Sequence, residues 1–527
     1  MATQGELRRL AVRGAGATVL AQVIAFAVQM IATIALARLL TPSDFGLVTM
    51  VSTVSLLLLN CGLNGFTEAV LQRDTIDHTL ASNLFWISVC VGVCLSIGFA
   101  AAGRLLARFY TEPRVAAVAA VVSLSILSNS LSVVHLALLK RAMRFQVVSV
   151  NDVTARFISV LLSLALAWAG WGYWALVAGV VAIPSSTFIG SWLACRWIPS
   201  LPRYDSRTMP LVRFALNTYG RFTANYFTNN LDNLLVGWRL GSASLGLYKK
   251  AYDLFVLPVN QLSAPLTSVA VSTLSRLKAQ PSQYRRYFLT AFSLLAFVGM
   301  GMGANLTLIG RDLIRLLLGP GWEESGRIFS IFAPGIGLMV LYGTHGWIHL
   351  SIGRADRWFR WGLVELSVTS SLFVLGLRWA PAGIAAAWVA SFVVLIIPGL
   401  WYAAKPIQIG VAPMLTVMGR YALASLVAGC GSAVILRGFA LPSNPSSSAT
   451  FVRIIVTSSL FTALYGSLVV LLHGGLTPLR QVAMVLREML PVSRVPKHSL
   501  ATPSVSQADV VLLPILEKHL TEAGGQL

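Results

Sequence analysis

Long apolar runs recur along the whole chain and limit its fold more than any other feature. A helix of about 20 residues rises about 30 Å, which is the thickness of the hydrocarbon core of a bilayer. An open β-sheet could not satisfy its edges in lipid, so the pattern predicts an all-α, polytopic membrane protein of about 14 transmembrane helices. The runs lie at 15–37, 45–67, 80–102, 115–138, 148–169, 172–194, 214–238, 247–272, 288–309, 326–350, 361–378, 382–403, 418–438 and 453–472.

The composition excludes the main alternatives. Hydrophobic residues make up 56% of the chain and charged residues 11%, whereas soluble domains are about 25% charged. This balance excludes a soluble enzyme, and the low polarity excludes a disordered protein. The formal charge of +21 would indicate nucleic acid in a soluble protein, but here basic loops are expected to meet lipid headgroups. We therefore expect membrane lipids and no nucleic acid as partners.

The lysines and arginines also predict an orientation. With the first helix starting in the cytoplasm, about 20 basic residues fall on the cytoplasmic side and about 13 on the other. An even number of crossings then places both termini in the cytoplasm. The basic N-terminus lacks a cleavage pattern and reads as the start of the first helix. For the tail after about residue 476, a surface-lying amphipathic helix and a solvated segment are both open.

The two sides of residue 200 resemble each other. Arg38 and Phe45-Gly46-Leu47 correspond to Arg239 and Leu245-Gly246-Leu247, and the loop 141–145 corresponds to 354–358. Six spans per unit is an even number, so the two units enter from the same side as parallel repeats. We expect a first six-helix lobe at 1–200, a second at 201–405, two further transmembrane helices at 406–475, and a cytoplasmic tail at 476–527.

Five segments, at 38–47, 137–145, 170–177, 230–237 and 239–248, resemble the polysaccharide transporters of the MOP superfamily. These are the Wzx-type flippases of lipopolysaccharide and exopolysaccharide biosynthesis. The resemblance implies a V-shaped molecule of two six-helix bundles plus two C-terminal helices. It also implies export of undecaprenyl-diphosphate-linked oligosaccharide units across the bacterial inner membrane by alternating access. Polysaccharide polymerase and glycosyltransferases would be its protein partners.

Two other functions remain open. One is a multidrug or lipid II exporter on the same fold. The other is a membrane polysaccharide polymerase or ligase, which would need a sizeable outer loop to carry its catalytic groups. The outer loops run to only about 17 residues, which argues against that enzyme.

The seventh run is the most informative for function. Asn217, Arg221, Asn225 and Asn229 recur every four residues, so they form one slowly turning polar stripe, with Asp232 nearby. A helix with such a stripe cannot face lipid. Arginine suits a diphosphate and asparagine suits sugar hydroxyls, so the stripe is a candidate cavity wall. Hydrogen-bonded packing between helices is the alternative.

Three further carboxylates fall inside or at the end of apolar runs. Asp152 and Glu365 occupy corresponding positions of the repeat, so we expect them to have equivalent environments. They could bind a coupling proton or sodium ion, or they could form structural salt bridges, with Arg156 at the right spacing for Asp152. Glu68 follows Asn60 and Asn64 at intervals of four and could line the cavity or a polar seam between helices.

No motif for catalysis, a metal or a cofactor is present. The sequence lacks GxxxxGK[ST], GxSxG and HExxH. The five cysteines form no CxxC pair and lie in or at the ends of apolar runs. We therefore expect a transporter with no cofactor and no metal site.

Overall fold

A computed structural model describes residues 27–72, 76–407, 409–438, 447–476 and Arg480. Among side chains, it leaves out those of 60–72 and most of those at 214–228. The described helices belong to one compact unit that ends at Pro478. Within the described ranges the secondary structure is helical and contains no strand, which confirms the predicted fold class.

The helices alternate with short connections. They are α1 (Ala27–Leu39), α2 (Pro42–Gln72), α3 (His78–Phe109), α4 (Arg114–Arg141), α5 (Phe145–Trp168), α6 (Tyr173–Cys195), α7 (Thr208–Arg276), α8 (Pro281–Leu318), α9 (Glu323–Phe332), α10 (Gly335–Ser351), α11 (Ala355–Gly376), α12 (Ala380–Ala404), α13 (Ala412–Gly438) and α14 (Ser447–His473).

From the second onward, each predicted run falls on one or two of these helices to within two residues, and the described part of the first run falls on α1. The seventh and eighth runs share α7, which is interrupted at Gly241 by a positive φ of 80°. The tenth run is split into α9 and α10, which meet at 47°. The helix breaks at Pro334 because proline has no backbone N–H and its ring clashes with the preceding turn. In the described residues nine helical segments, or ten if this bent pair is one span, are apolar and long enough to cross a membrane. The total of 14 crossings stays a prediction, since the polar α7 is not among them.

Small polar residues join neighbouring helices of the first half. The hydroxyls of Ser88 and Ser96 on α3 donate to the carbonyls of Ser130 and Ser123 on α4, at 3.1 and 2.8 Å. Ser159 on α5 donates to a carbonyl of α6. Such residues let helices approach closely and replace the hydrophobic driving force that lipid does not supply.

The last two helices pack on α8. Arg453 of α14 pairs with Asp312 of α8, and the hydroxyl of Tyr465 donates to the Phe297 carbonyl at 2.8 Å. Tyr421 of α13 is hydrogen-bonded to Ser293 at 3.0 Å. These contacts attach α13 and α14 to the second half of the chain.

Candidate transport pathway

The start of α2 crosses α7 just after Gly241, and the contact is reciprocal. A Cβ added to Gly46 would overlap the carbonyl oxygen of Ser242, and a Cβ added to Gly246 would overlap that of Pro42. Pro42 and Ser242 are 200 residues apart, as are Gly46 and Gly246. The predicted repeat therefore places corresponding residues against each other, and both glycines are needed because any larger residue would separate the two backbones.

Side chains from both halves close the same end of the molecule. Tyr110, after α3, packs on Gly237, and Trp322, after α8, donates to the carbonyl of Ala37 at 2.8 Å. Ala37 and Gly237 are again 200 residues apart. The Ser43 and Ser242 hydroxyls are hydrogen-bonded at 3.0 Å across the crossing.

Basic residues strengthen this closure. Arg38 donates to the carbonyls of Leu316 and Leu317 at the end of α8, at 2.7 and 3.2 Å. The ammonium group of Lys250 lies 4.0 Å from the centre of the Phe45 ring, a cation–π contact between the halves. We call the contact between α2 and α7, formed by Pro42, Ser43, Phe45, Gly46, Ser242, Gly246 and Lys250, the outer crossing. The name follows the orientation that the basic residues predict.

Further along α7 the packed face opens. Asn233 and Val236 are buried next to the outer crossing, whereas Asn229, one turn earlier on the same face, is exposed. Close to the boundary, the Tyr226 hydroxyl donates to the Thr53 carbonyl of α2. Along this face of α7 the described side chains thus change from buried at Asn233 to exposed at Asn229.

The predicted polar stripe lies on the continuous backbone of α7. The side chains of Asn217, Arg221 and Asn225, and that of Glu68 on α2, lie outside the described residues. Their role in a cavity therefore stays a prediction, while the prediction that the first three share one helix with Asn229 is confirmed.

A cavity of about 470 Å³ lies at the C-terminal end of α7. It is lined by Val269, Ser272, Thr273 and Arg276. Arg276 is exposed and is the last residue of its helix. In the sequence it is one of the basic residues that fall on the predicted cytoplasmic side. Its position on the same face of α7 as Ser272 and Thr273 was readable from their spacing of three and four.

Asp232 is fully buried and does not face open space. Its carboxylate accepts hydrogen bonds from the Tyr248 hydroxyl at 2.7 Å, the Trp388 indole at 3.0 Å and the backbone N–H of Asn233 at 2.8 Å. It thereby joins the two parts of α7 across Gly241 to α12. The roles of Tyr248 and Trp388 had no local signal in the sequence, because the contacts form between distant segments.

Asp152 and Glu365 have different surroundings. Asp152 has a side chain that is 52% exposed and pairs with Arg156 at 3.0 Å, as its spacing predicted. Glu365 instead lies beside the Tyr342 hydroxyl, which accepts a hydrogen bond from the Trp361 indole at 2.7 Å. The expected equivalence of the two carboxylates is therefore wrong, because Asp152 has Arg156 four residues on, whereas Glu365 has Thr369.

The described part of the chain brings together no group of three or more histidines, cysteines or carboxylates that could hold a metal ion. Cys90, Cys94, Cys195 and Cys430 are free thiols.

Solved structures that resemble this chain are membrane transporters. The lipid II flippase MurJ in an inward closed conformation superposes with a TM-score of 0.68 at 12% identity, covering 90% of this chain and 99% of that one. A multidrug resistance MATE family transporter of the MOP superfamily, in an inward-facing conformation, gives 0.57 at 14% identity, covering 72% and 94%. These likenesses establish a fold of the MOP type.

Curated relatives are named for polysaccharide biosynthesis. The teichuronic acid biosynthesis protein TuaB of Bacillus subtilis is 26% identical over 56% of this chain and 62% of its own length. The succinoglycan biosynthesis transport protein ExoT of Rhizobium meliloti is 21% identical over 69% and 74%. The lipopolysaccharide biosynthesis protein WzxC of Escherichia coli is 20% identical over 71% and 77%.

A family profile described as "Polysaccharide biosynthesis protein" matches residues 35–327. This stretch is more than half of the chain, and it includes the outer crossing and all of α7. The chain belongs to the polysaccharide biosynthesis protein family, as its motifs predicted.

Proposed function

We propose that this protein flips undecaprenyl-diphosphate-linked oligosaccharide units across the bacterial inner membrane for the synthesis of a surface polysaccharide. The proposal rests on family membership, on relatives named for polysaccharide biosynthesis and transport, and on the MOP-type fold. Its activity is transport, and no chemical step is assigned to any residue.

One observation carries the mechanism. The face of α7 is buried at the outer crossing, and Asn229, one turn further along, is exposed. A transporter that works by alternating access needs this asymmetry, because its path must be closed toward one side while it is open to the other. Export then requires the outer crossing to separate.

The chemistry of the open side suits a diphosphate carrier. Arg276 borders the cavity at the end of α7, and a guanidinium can bind phosphate oxygens through two parallel hydrogen bonds. The stripe of Asn217, Arg221, Asn225 and Asn229 would continue this surface inward, with amides for sugar hydroxyls. The buried Asp232 would support this wall from behind.

The positive-inside bias favours a cytoplasmic location for the open end, where the flippase would take up the lipid-linked oligosaccharide. Both termini would then be cytoplasmic. Glycosyltransferases on that side and a polysaccharide polymerase on the other would act before and after the flippase.

Substitution of Arg276 tests the proposal. In proteoliposomes loaded with undecaprenyl-diphosphate oligosaccharide, Arg276→Gln should lower the translocation rate about tenfold, because hydrogen bonds to a charged group contribute about 1.5–3 kcal/mol. Arg285→Gln, an exposed arginine at the same end on the next helix, is the matched control and should leave the rate unchanged. Equal rates for both variants would remove Arg276 from the substrate path.

Arg221 gives an independent test of the stripe. Arg221→Ala should abolish export while the protein stays in the membrane, and Arg221→Lys should restore it only in part, because a point charge replaces a planar fork. Normal export by Arg221→Ala, with Asn217→Cys and Asn225→Cys unlabelled by a membrane-impermeant thiol reagent, would place the path elsewhere.

Export of lipid II is the second candidate, favoured by the fold shared with the lipid II flippase. The same vesicles loaded with lipid II distinguish the two. Transport of lipid II at the faster rate would replace the oligosaccharide as the substrate.

A further inference from the structure

The segment between α6 and α7, residues 196–207, is fixed to the first half of the chain; we call it the strap. At Ser200, the amide donates to the Ser82 hydroxyl at 3.0 Å and the carbonyl accepts from the Trp86 indole at 2.9 Å. At Arg203, the amide and carbonyl are both hydrogen-bonded to the Asn83 side chain, at 3.0 and 2.6 Å. The Trp197 carbonyl bonds to His135 at 3.2 Å.

Attachments recur every third residue, at Trp197, Ser200 and Arg203, and the Ile198 carbonyl is also hydrogen-bonded, to the His78 ring at 3.1 Å. Prolines stand at 199 and 202, and the strap is neither helix nor strand. A period of three is that of an extended polyproline-type chain, which has three faces and no internal hydrogen bonds. One face is therefore held against α3 and α4, and the residues after each attachment must point away.

The outward face is an apolar ridge. Ile198, Leu201 and Tyr204 are 76%, 78% and 98% exposed. Because the backbone is fixed on both sides of each residue, these side chains cannot turn inward to hide. Three large side chains held in the open in one row indicate a surface that something covers.

Ion pairs hold the end of the strap that leads into α7. Arg207 bonds to Asp77 and to Asp205, each at 2.6 Å, so both carboxylates are already paired. Their hydrogen bonds to the Arg207 guanidinium hold the pKa of Asp205 and of Asp77 below the usual value of 3.8. No acidic group of the strap is left to balance Arg196 and Arg203, whose side chains are exposed.

The neighbouring loop adds to the positive charge. The loop between α4 and α5 contains Lys140, Arg141 and Arg144, and Arg144 donates to the Ala194 carbonyl at the end of α6, at 3.3 Å. Met143 in this loop is 56% exposed. Apolar and basic groups thus alternate over the surface that surrounds the strap.

Because the strap contacts the ends of apolar spanning helices, we expect it at the level where the membrane ends. It leaves α6 and rests on the start of α3 and the end of α4, and all three helices are apolar and long enough to span a bilayer. At that level a side chain meets phosphates and the first segments of acyl chains. Arginines favour anionic headgroups there, and apolar and aromatic side chains enter the boundary below them.

We propose that the strap is a binding surface for anionic phospholipid, with Ile198, Leu201 and Tyr204 inserted below the headgroups and Arg196 and Arg203 on the phosphates. It anchors the first half of the chain to one leaflet directly before α7 begins at Thr208. Under the proposed function this is the cytoplasmic leaflet. The proposed lipid binding itself does not rest on the proposed function.

A label on the ridge tests this. In a chain whose five native cysteines are replaced, Leu201→Cys carries a bimane label, and the protein is placed in vesicles with brominated phosphatidylglycerol or brominated phosphatidylcholine. We expect strong quenching in both. It should be about fivefold more efficient per lipid with phosphatidylglycerol, because each headgroup binds one arginine and that contact contributes about 1 kcal/mol. Aqueous iodide should quench little.

The same label in an Arg196→Gln, Arg203→Gln background is the matched control. It should keep the quenching by lipid and lose the preference for phosphatidylglycerol, while the protein elutes as the parent does in gel filtration. Equal quenching by the two lipids in the parent would overturn the anionic preference. Quenching by iodide alone would overturn lipid contact altogether, and neither result depends on transport.

Discussion

The first and second halves of the chain are alike at the outer crossing and unlike behind it. Gly46 and Gly246 make the same backbone contact from opposite sides. Asp232, by contrast, is a buried carboxylate with two side-chain donors, while the residue 200 positions earlier is Ala32, which is also buried. The comparison teaches that the repeat preserves close backbone contacts, where only glycine fits, and leaves polar groups free to change.

The carboxylates on the two fifth-helix equivalents, α5 and α11, follow the same rule. Asp152 is exposed and paired within its own helix, whereas Glu365 lies beside Tyr342 of α10. A pair within one helix adds little, and a contact between helices can change when helices move. Of these two carboxylates, Glu365 is therefore the one whose surroundings would change if α10 and α11 moved relative to each other.

Substitution at the crossing should have the largest effect, and it should be the same in both halves. Gly46→Val and Gly246→Val each place side-chain atoms where a carbonyl lies. Overpacking of this kind costs about 1–3 kcal/mol, so we expect export to fall about tenfold or more. Gly98→Val on α3, where nothing lies within 4 Å of an added Cβ, is the control for export measured in cells. A loss at only one glycine would show that the crossing is not symmetric.

Removing the buried carboxylate should come next and should affect the second half alone. Asp232→Ala leaves the Tyr248 hydroxyl and the Trp388 indole without an acceptor, at about 1–3 kcal/mol for each buried group. We expect a clear drop in the melting temperature of the purified protein, and a smaller drop for Asp232→Asn, which keeps an oxygen. Equal melting temperatures for Asp232→Ala and the parent would contradict a structural role.

The two repeat-related carboxylates should separate in a paired test. Glu365→Gln replaces the carboxyl beside Tyr342 by an amide. It should lower export severalfold at normal protein abundance. Asp152→Asn breaks an exposed pair, which contributes about 0–1 kcal/mol, and should leave export near the parental rate. Equal losses in both variants would restore the equivalence that the repeat suggested.

The smallest effect is expected from pH on the strap. Arg207 holds the pKa of Asp205 and Asp77 below 3.8, so both carboxylates are charged at neutral pH. The attachment should persist as pH falls and be lost only below 3.8, when protons displace the arginine. Anisotropy of a label at Leu201→Cys should therefore stay constant down to about pH 5. A decrease above that pH would mean that Arg207 does not secure the strap.

The helices could be predicted because each apolar run has the length of a bilayer crossing. The break at Gly241 could not, since its φ of 80° serves a contact with a residue about 200 positions away. The stripe on α7 was visible from its four-residue spacing, and the pairing of Asp152 with Arg156 was local. The partners of Asp232 and Glu365 were hidden because they come from other helices, where no spacing rule applies.

A cross-link at the outer crossing tests the account most directly. The Ser43 and Ser242 hydroxyls lie 3.0 Å apart, so Ser43→Cys and Ser242→Cys together, in a chain without native cysteines, should form a disulfide on oxidation. If export requires the crossing to separate, the oxidised protein should not transport the lipid-linked oligosaccharide, and reduction should restore the parental rate, with each single variant unaffected. Undiminished transport by the fully cross-linked protein would contradict the account.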